Sequence, residues 1–103
     1  SDDMIIYRGV NIYPGQIMEV IGRFPELGGE YQMELTRDER SLDHLALTVE
    51  RAQGRHSGND EALAQAVERR LHKAILARME VRVADYASLP RTFSKSKRIV
   101  DKR

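Results

Sequence analysis

Tyr31-Gln32-Met33-Glu34-Leu35-Thr36, followed beyond the polar break Arg37 to Ser41 by Leu45-Ala46-Leu47-Thr48-Val49, sets a large apolar residue at every second position. Period two places those side chains on one face, so two half-buried strands joined as a hairpin are predicted, with an apolar face that needs cover. Helical spacing lies on both sides of the pair. Upstream, Ile17, Val20, Ile21 and Phe24 form one stripe behind Pro14, which predicts a helix from Pro14 to about Arg23, ended by Pro25. Downstream, Leu63, Val67, Leu71 and Ile75 are spaced by four, with Ala64, Ala66 and Ala74 beside them, and predict a second helix to about Arg78. The loop Ala52 to Asn59 precedes it and offers Ser57 with Asp60, or Asn59, as a cap.

Farther out, Met4-Ile5-Ile6-Tyr7 and Val10-Asn11-Ile12-Tyr13 flank Arg8-Gly9 and read as a tight hairpin turning around Gly9. Glu80-Val81-Arg82-Val83-Ala84 returns to period two, and a short connection through Tyr86 leads into the tail. The expected fold class is therefore α+β. It is a βαββαβ two-layer sandwich, a small sheet with two helices on one face, preceded by an N-terminal β-hairpin.

A chain of 103 residues makes one domain, able to bury roughly 60 to 65% of the surface its unfolded form exposes. Seventeen Lys and Arg against 16 Asp and Glu leave no global field that would draw nucleic acid or a membrane. Without cysteine, neither a disulfide framework nor a thiolate zinc site can form. The apolar runs are far shorter than the ~20 residues that span a bilayer, so a soluble, cytoplasmic protein is expected. Ser1-Asp2-Asp3 ahead of Met4, leading straight into a strand, reads as a boundary inside a longer protein.

The inventory for stand-alone catalysis is thin. His44, His56 and His72 fall in a strand, a loop and a helix with no metal-ligand spacing, and no glycine loop or nucleophile motif is present, so no metal site is expected. Two stretches have glycine, proline and basic residues that the core does not explain. One opens the chain, Ser1 to Pro14. The other is Leu89-Pro90-Arg91-Thr92-Phe93-Ser94-Lys95-Ser96-Lys97-Arg98-Ile99-Val100-Asp101. From Arg91 onward six basic residues face the single acid Asp101, a pattern that is usually a solvated terminus and otherwise an anion-binding segment.

The first stretch, D-D-M-I-I-x-R-G-V-N-I-Y-P-x-Q-I, resembles the hinge and hairpin that open the C-terminal domain of adenylate-forming enzymes in their phenylacetate-CoA ligase form. The second, L-P-R-T-x-x-K-x-K-R-I-V-D, resembles the closing lysine motif of the same family, and Phe24-Pro25-Glu26-Leu27 with the following strand also fits. The resemblance covers essentially the whole chain. It implies a ligase that makes an acyl-adenylate from ATP and a carboxylic acid and then an acyl-CoA thioester, the small domain rotating between the steps. By position it makes Asp2 the hinge, and Arg8, Gly9 and Val10 the turn that lines the CoA tunnel. Lys95 becomes the adenylation lysine, with Lys97 a competing candidate because Ser94 stands where the family commonly has glycine.

ATP and coenzyme A are the implied substrates, with Mg2+ accompanying ATP and an aryl or arylacetic acid as the carboxylate. The implied partner is a large N-terminal domain holding the nucleotide and acid pockets, without which this domain is expected to be inactive; a homodimer is permitted. Two other classes compete. A βαββαβ module that binds a small effector shares the topology, but has no need of both end motifs. An RNA-binding sheet should expose stacking aromatics, and beyond the first hairpin the strands offer only Tyr31.

Overall fold

The computed structural model describes residues 4–56, 58–91 and 98–103. Strands β1 (Ile5–Tyr7) and β2 (Val10–Ile12) form a two-stranded antiparallel hairpin, and helix α1 (Pro14–Ile21) follows at once. Strands β3 (Leu27–Arg37) and β4 (Asp43–Arg51), helix α2 (Asp60–Ile75), and strands β5 (Glu80–Ala84) and β6 (Ile99–Asp101) complete the order. The main sheet runs β5-β4-β3-β6. Its central pair is antiparallel, and the two outer strands each run parallel to their neighbour.

Each apolar stripe meets its partner. Met33 and Leu35 of β3, and Leu47 and Val49 of β4, are buried with Ile17 and Ile21 of α1 and Val67 and Leu71 of α2 in one core. At about 1.5 to 3 kcal/mol for each fully buried aliphatic side chain, this face holds the domain together. The hairpin joins the same core through Ile5, Tyr7 and Ile12.

The element ends differ from the sequence reading for local reasons. Pro14 occupies the first turn of α1, and the Gln16 side chain accepts a hydrogen bond from the Tyr13 backbone N–H at 2.9 Å. The helix gives out at Gly22, ahead of Pro25. Strand β3 begins four residues early, with an irregular register between Leu27 and Tyr31 where Gly29 takes φ +95°. Helix α2 is flanked by Asn59 at its start, while the alternative cap, Ser57, lies outside the described residues.

Three residues short of its expected end, α2 is stopped by Leu76 in the left-handed conformation, φ 64°. Its side chain is 74% exposed, while Ala77 and Met79 beyond it are buried, so the break turns the chain back into the core. Leu76→Gly should therefore stabilise the fold by about 1 kcal/mol, because it removes left-handed strain and gives up little burial. Urea denaturation checks this; an unchanged or lowered midpoint would show that Leu76 is not strained.

The largest departure is in the tail. Ile99–Asp101 is a strand paired with Met33 to Leu35 of β3, not a solvated terminus.

Candidate functional site

At the hairpin turn Arg8 has φ 49° and Gly9 φ 79°. Two left-handed central residues define the type I′ turn, whose twist matches that of the flanking strands. A Cβ at Gly9 would meet no atom of the described residues within 4 Å, so crowding among them does not require the glycine. Its backbone angle does. Arg8 adopts a conformation in which arginine is uncommon. Its Nε donates to the Asp43 carbonyl at 2.8 Å, and its guanidinium stacks 5.3 Å from the Tyr7 ring centre. Arg8 and Gly9 are exposed, and Val10 is half-buried against the core.

A charged cluster ties this hairpin to the main sheet. Arg103 donates to the Ile6 carbonyl at 2.8 Å and to Asp43 Oδ2 at 2.9 Å, and it also grips Asp101. Arg37 pairs with the other Asp43 oxygen at 2.7 Å. The hydrogen bonds from Arg37 and Arg103 hold the Asp43 carboxyl at about 2, below its ordinary 3.8. The folded chain thus binds fewer protons than the unfolded chain between those values. The stabilisation from Asp43 is complete above about pH 4 and is lost as pH falls toward 2. Asp43→Asn should flatten the decline of the urea midpoint across that window; an unchanged pH slope would exclude Asp43 as its source.

The opposite end of the sheet anchors the second motif. Glu50, at 1% exposure, accepts backbone N–H bonds from Ala87 at 2.8 Å and Leu89 at 3.0 Å. Arg91 closes on it with two nitrogens at 2.7 and 2.9 Å. Burial pushes the Glu50 carboxyl up, but Arg91 and the two N–H donors outweigh it, and the net direction is down. Glu30 lies between two arginines, its Oε1 3.9 Å from Arg91 and its Oε2 3.5 Å from Arg98. Arg98 also covers the Tyr31 ring at 5.0 Å, and Lys102 pairs with Glu34 at 2.9 Å. The basic residues described in the tail are therefore matched by acids of the sheet.

Asp2, Lys95 and Lys97 lie outside the described residues. The structure does describe what holds the lysine stretch on either side, and sequence reasoning missed those groups. Glu50 sits on the strand face turned away from the helices, where period two predicts solvent. Only the return of residues 85–91 over that face buries it.

Other regions offer less. A surface cavity of about 420 Å³ beside the start of α2 is lined by Arg51, Arg55 and His56 among others, and by no residue of either end motif. Its buried Arg51 is matched by Asp60 and Asp85. Among the described residues, no group of three His, Cys, Asp or Glu could hold a metal ion, and no helix is long and apolar enough to cross a membrane.

Residues 9–103 match the family described as AMP-binding enzyme C-terminal domain. The phenylacetate-coenzyme A ligase of Aromatoleum evansii is 37% identical across the whole chain, and that of Escherichia coli K12 is 33% identical. The chain spans 24% of the length of each. Among solved structures, a domain of phenylacetate-coenzyme A ligase from Bacteroides vulgatus superposes with a TM-score of 0.87 at 35% identity, covering 99% of this chain and 94% of that one. A 2-hydroxyisobutyryl-CoA ligase, in complex with 2-HIB-AMP and CoA in the thioesterification state, superposes at 0.84 with 32% identity over 97% of this chain and 21% of its own.

Proposed function

Because the chain belongs to the AMP-binding enzyme C-terminal domain family, we propose that it is the mobile domain of an ATP-dependent acid–CoA ligase of the phenylacetate type. In the first half-reaction a carboxylate oxygen of the acid attacks the α-phosphorus of ATP, and pyrophosphate leaves. In the second, the CoA thiolate attacks the acyl carbon, and AMP leaves. A large N-terminal domain supplies the adenine, ribose and acid pockets. Mg2+ arrives with ATP, and the acid is an aryl or arylacetic acid.

The observation that supports this reading is where the described parts of the two motifs are anchored. Arg8 of the hairpin bonds to Asp43, and Arg91, the residue before 92–97, to Glu50, seven residues along the same strand, which is about 23 Å at strand rise. A rigid body with a working part at each end delivers the two parts to one site in turn, by reorientation about a hinge at Asp2. Lys95 brings an ammonium to the charge that develops on the α-phosphate and acyl carboxylate. In the other orientation Gly9 leaves room for the pantetheine arm beside bare backbone, with Val10 at its side and Arg8 able to meet an anionic group. The test is to assay the two half-reactions separately in the full-length ligase with Lys95 or Gly9 altered.

A further inference from the structure

We propose that the free edge of β5 is a self-association surface, on which β5 of a second copy of this chain pairs antiparallel about Val81; this goes beyond the ligase reading and does not depend on it. Strand β5 ends the order β5-β4-β3-β6 and is bonded to β4 on one side. Among the described residues, no backbone hydrogen bond outside that ladder involves Glu80 to Ala84. The outward N–H and C=O groups of such an edge are a template for another strand. The side chains show the same gap. Val81 and Val83 stand in register with Leu47 and Val49 of β4, which are fully buried. Both valines pack on the core but are only half-buried, with no strand beyond them among the described residues.

The charges select the occupant. Glu80 and Arg82 alternate with the valines, so they project from the sheet face turned away from the helices. Both are exposed, and they pair with each other along the strand at 3.0 Å. Two strands related by a two-fold axis run antiparallel, and opposed residues share a face. With Val81 against Val81 of the partner subunit, Glu80 lies opposite Arg82 of the partner subunit, and the pair occurs twice. Each guanidinium then sits between two carboxylates, one from its own strand and one from the other. Centring the pair one residue either way would set Glu80 against Glu80 of the partner subunit, or Arg82 against Arg82 of the partner subunit. Opposite charges directly across a ladder stabilise it and like charges oppose it, so charge fixes this register. The joined sheet covers the half-buried valines. An edge of five residues makes a small contact, and the association is weak.

The experiment is sedimentation equilibrium of the 103-residue chain, which has a core of its own, from micromolar to millimolar concentration. It compares wild type, Arg82→Glu, Glu80→Arg, and an equimolar mixture of these two variants. Wild type should form dimers. Each variant alone sets like charges across the edge and should raise the dimer dissociation constant roughly tenfold or more. The mixture puts opposite charges back across the edge and should return the constant to within about threefold of wild type. Both positions are exposed and an exposed ion pair contributes little to folding, so circular dichroism and the urea midpoint should stay close to wild type. A wild type that stays monomeric across the range would overturn the proposal. Dimers that neither variant weakens would place association on another surface, and a mixture no tighter than its separate components would rule out the Glu80–Arg82 register; either result also overturns it.

Discussion

Lys95→Ala in the full-length ligase is expected to lower acid-dependent ATP–pyrophosphate exchange by roughly 10²- to 10³-fold, the loss typical when one preorganised charge-stabilising donor is removed. Thioester formation from supplied acyl-adenylate should remain within a few-fold if, as proposed, that step proceeds with the domain turned the other way. The loss belongs in kcat, since a contact made only in the transition state leaves ground-state binding nearly untouched. Lys97→Ala run beside it settles which lysine acts. If Lys97→Ala carries the loss and Lys95→Ala does not, the mechanism stands and the assignment moves two residues. If neither alters exchange, the search should turn to effector binding by a βαββαβ module.

Gly9→Leu should do the reverse, leaving exchange within a few-fold and reducing thioester formation by roughly 10²-fold, as expected when the reacting group is displaced. Two causes could produce that loss, and the structure separates them. Gly9 has φ +79°, so leucine would strain the turn by about 1 to 2 kcal/mol wherever the hairpin sits. Asparagine accepts left-handed backbone but also carries a side chain, and none of the described residues lies within 4 Å of the added Cβ. Gly9→Asn should therefore keep the hairpin and still slow thioester formation, if the side chain meets CoA. Wild-type thioester rates in Gly9→Asn would assign the glycine to turn geometry alone.

Both substitutions fall in stretches that stood out in the sequence because no core explained them, and the structure accounts for part of what was unexplained. Arg91, Arg98, Lys102 and Arg103 are engaged by Glu50, Glu30, Glu34, Asp43 and Asp101. The near-balance of charge noted from composition is thus also arranged locally, base against acid. No reading of spacing could pair Glu50 with Arg91 across 41 positions. The one available signal was an acid next to an unbroken apolar alternation, and that usually marks a solvent face.

Local pattern determined the elements themselves. The Gly9 turn, the stripe of α1, the β3–β4 alternation, the four-residue spacing of α2 and the span of β5 all follow from short-range period and turn chemistry, and the end motifs carried the family. Tertiary structure decided the rest. Ile99–Asp101 is too short to announce itself as a strand, and it becomes one because the exposed edge of β3 supplies its backbone partners. Glu50 is buried, and the flanks of 92–97 are drawn to one carboxylate, only because the chain returns over the outer face of the sheet. Periodicity reports which way a side chain points relative to its own neighbours along the chain; it holds no information about which distant segment will arrive to cover it.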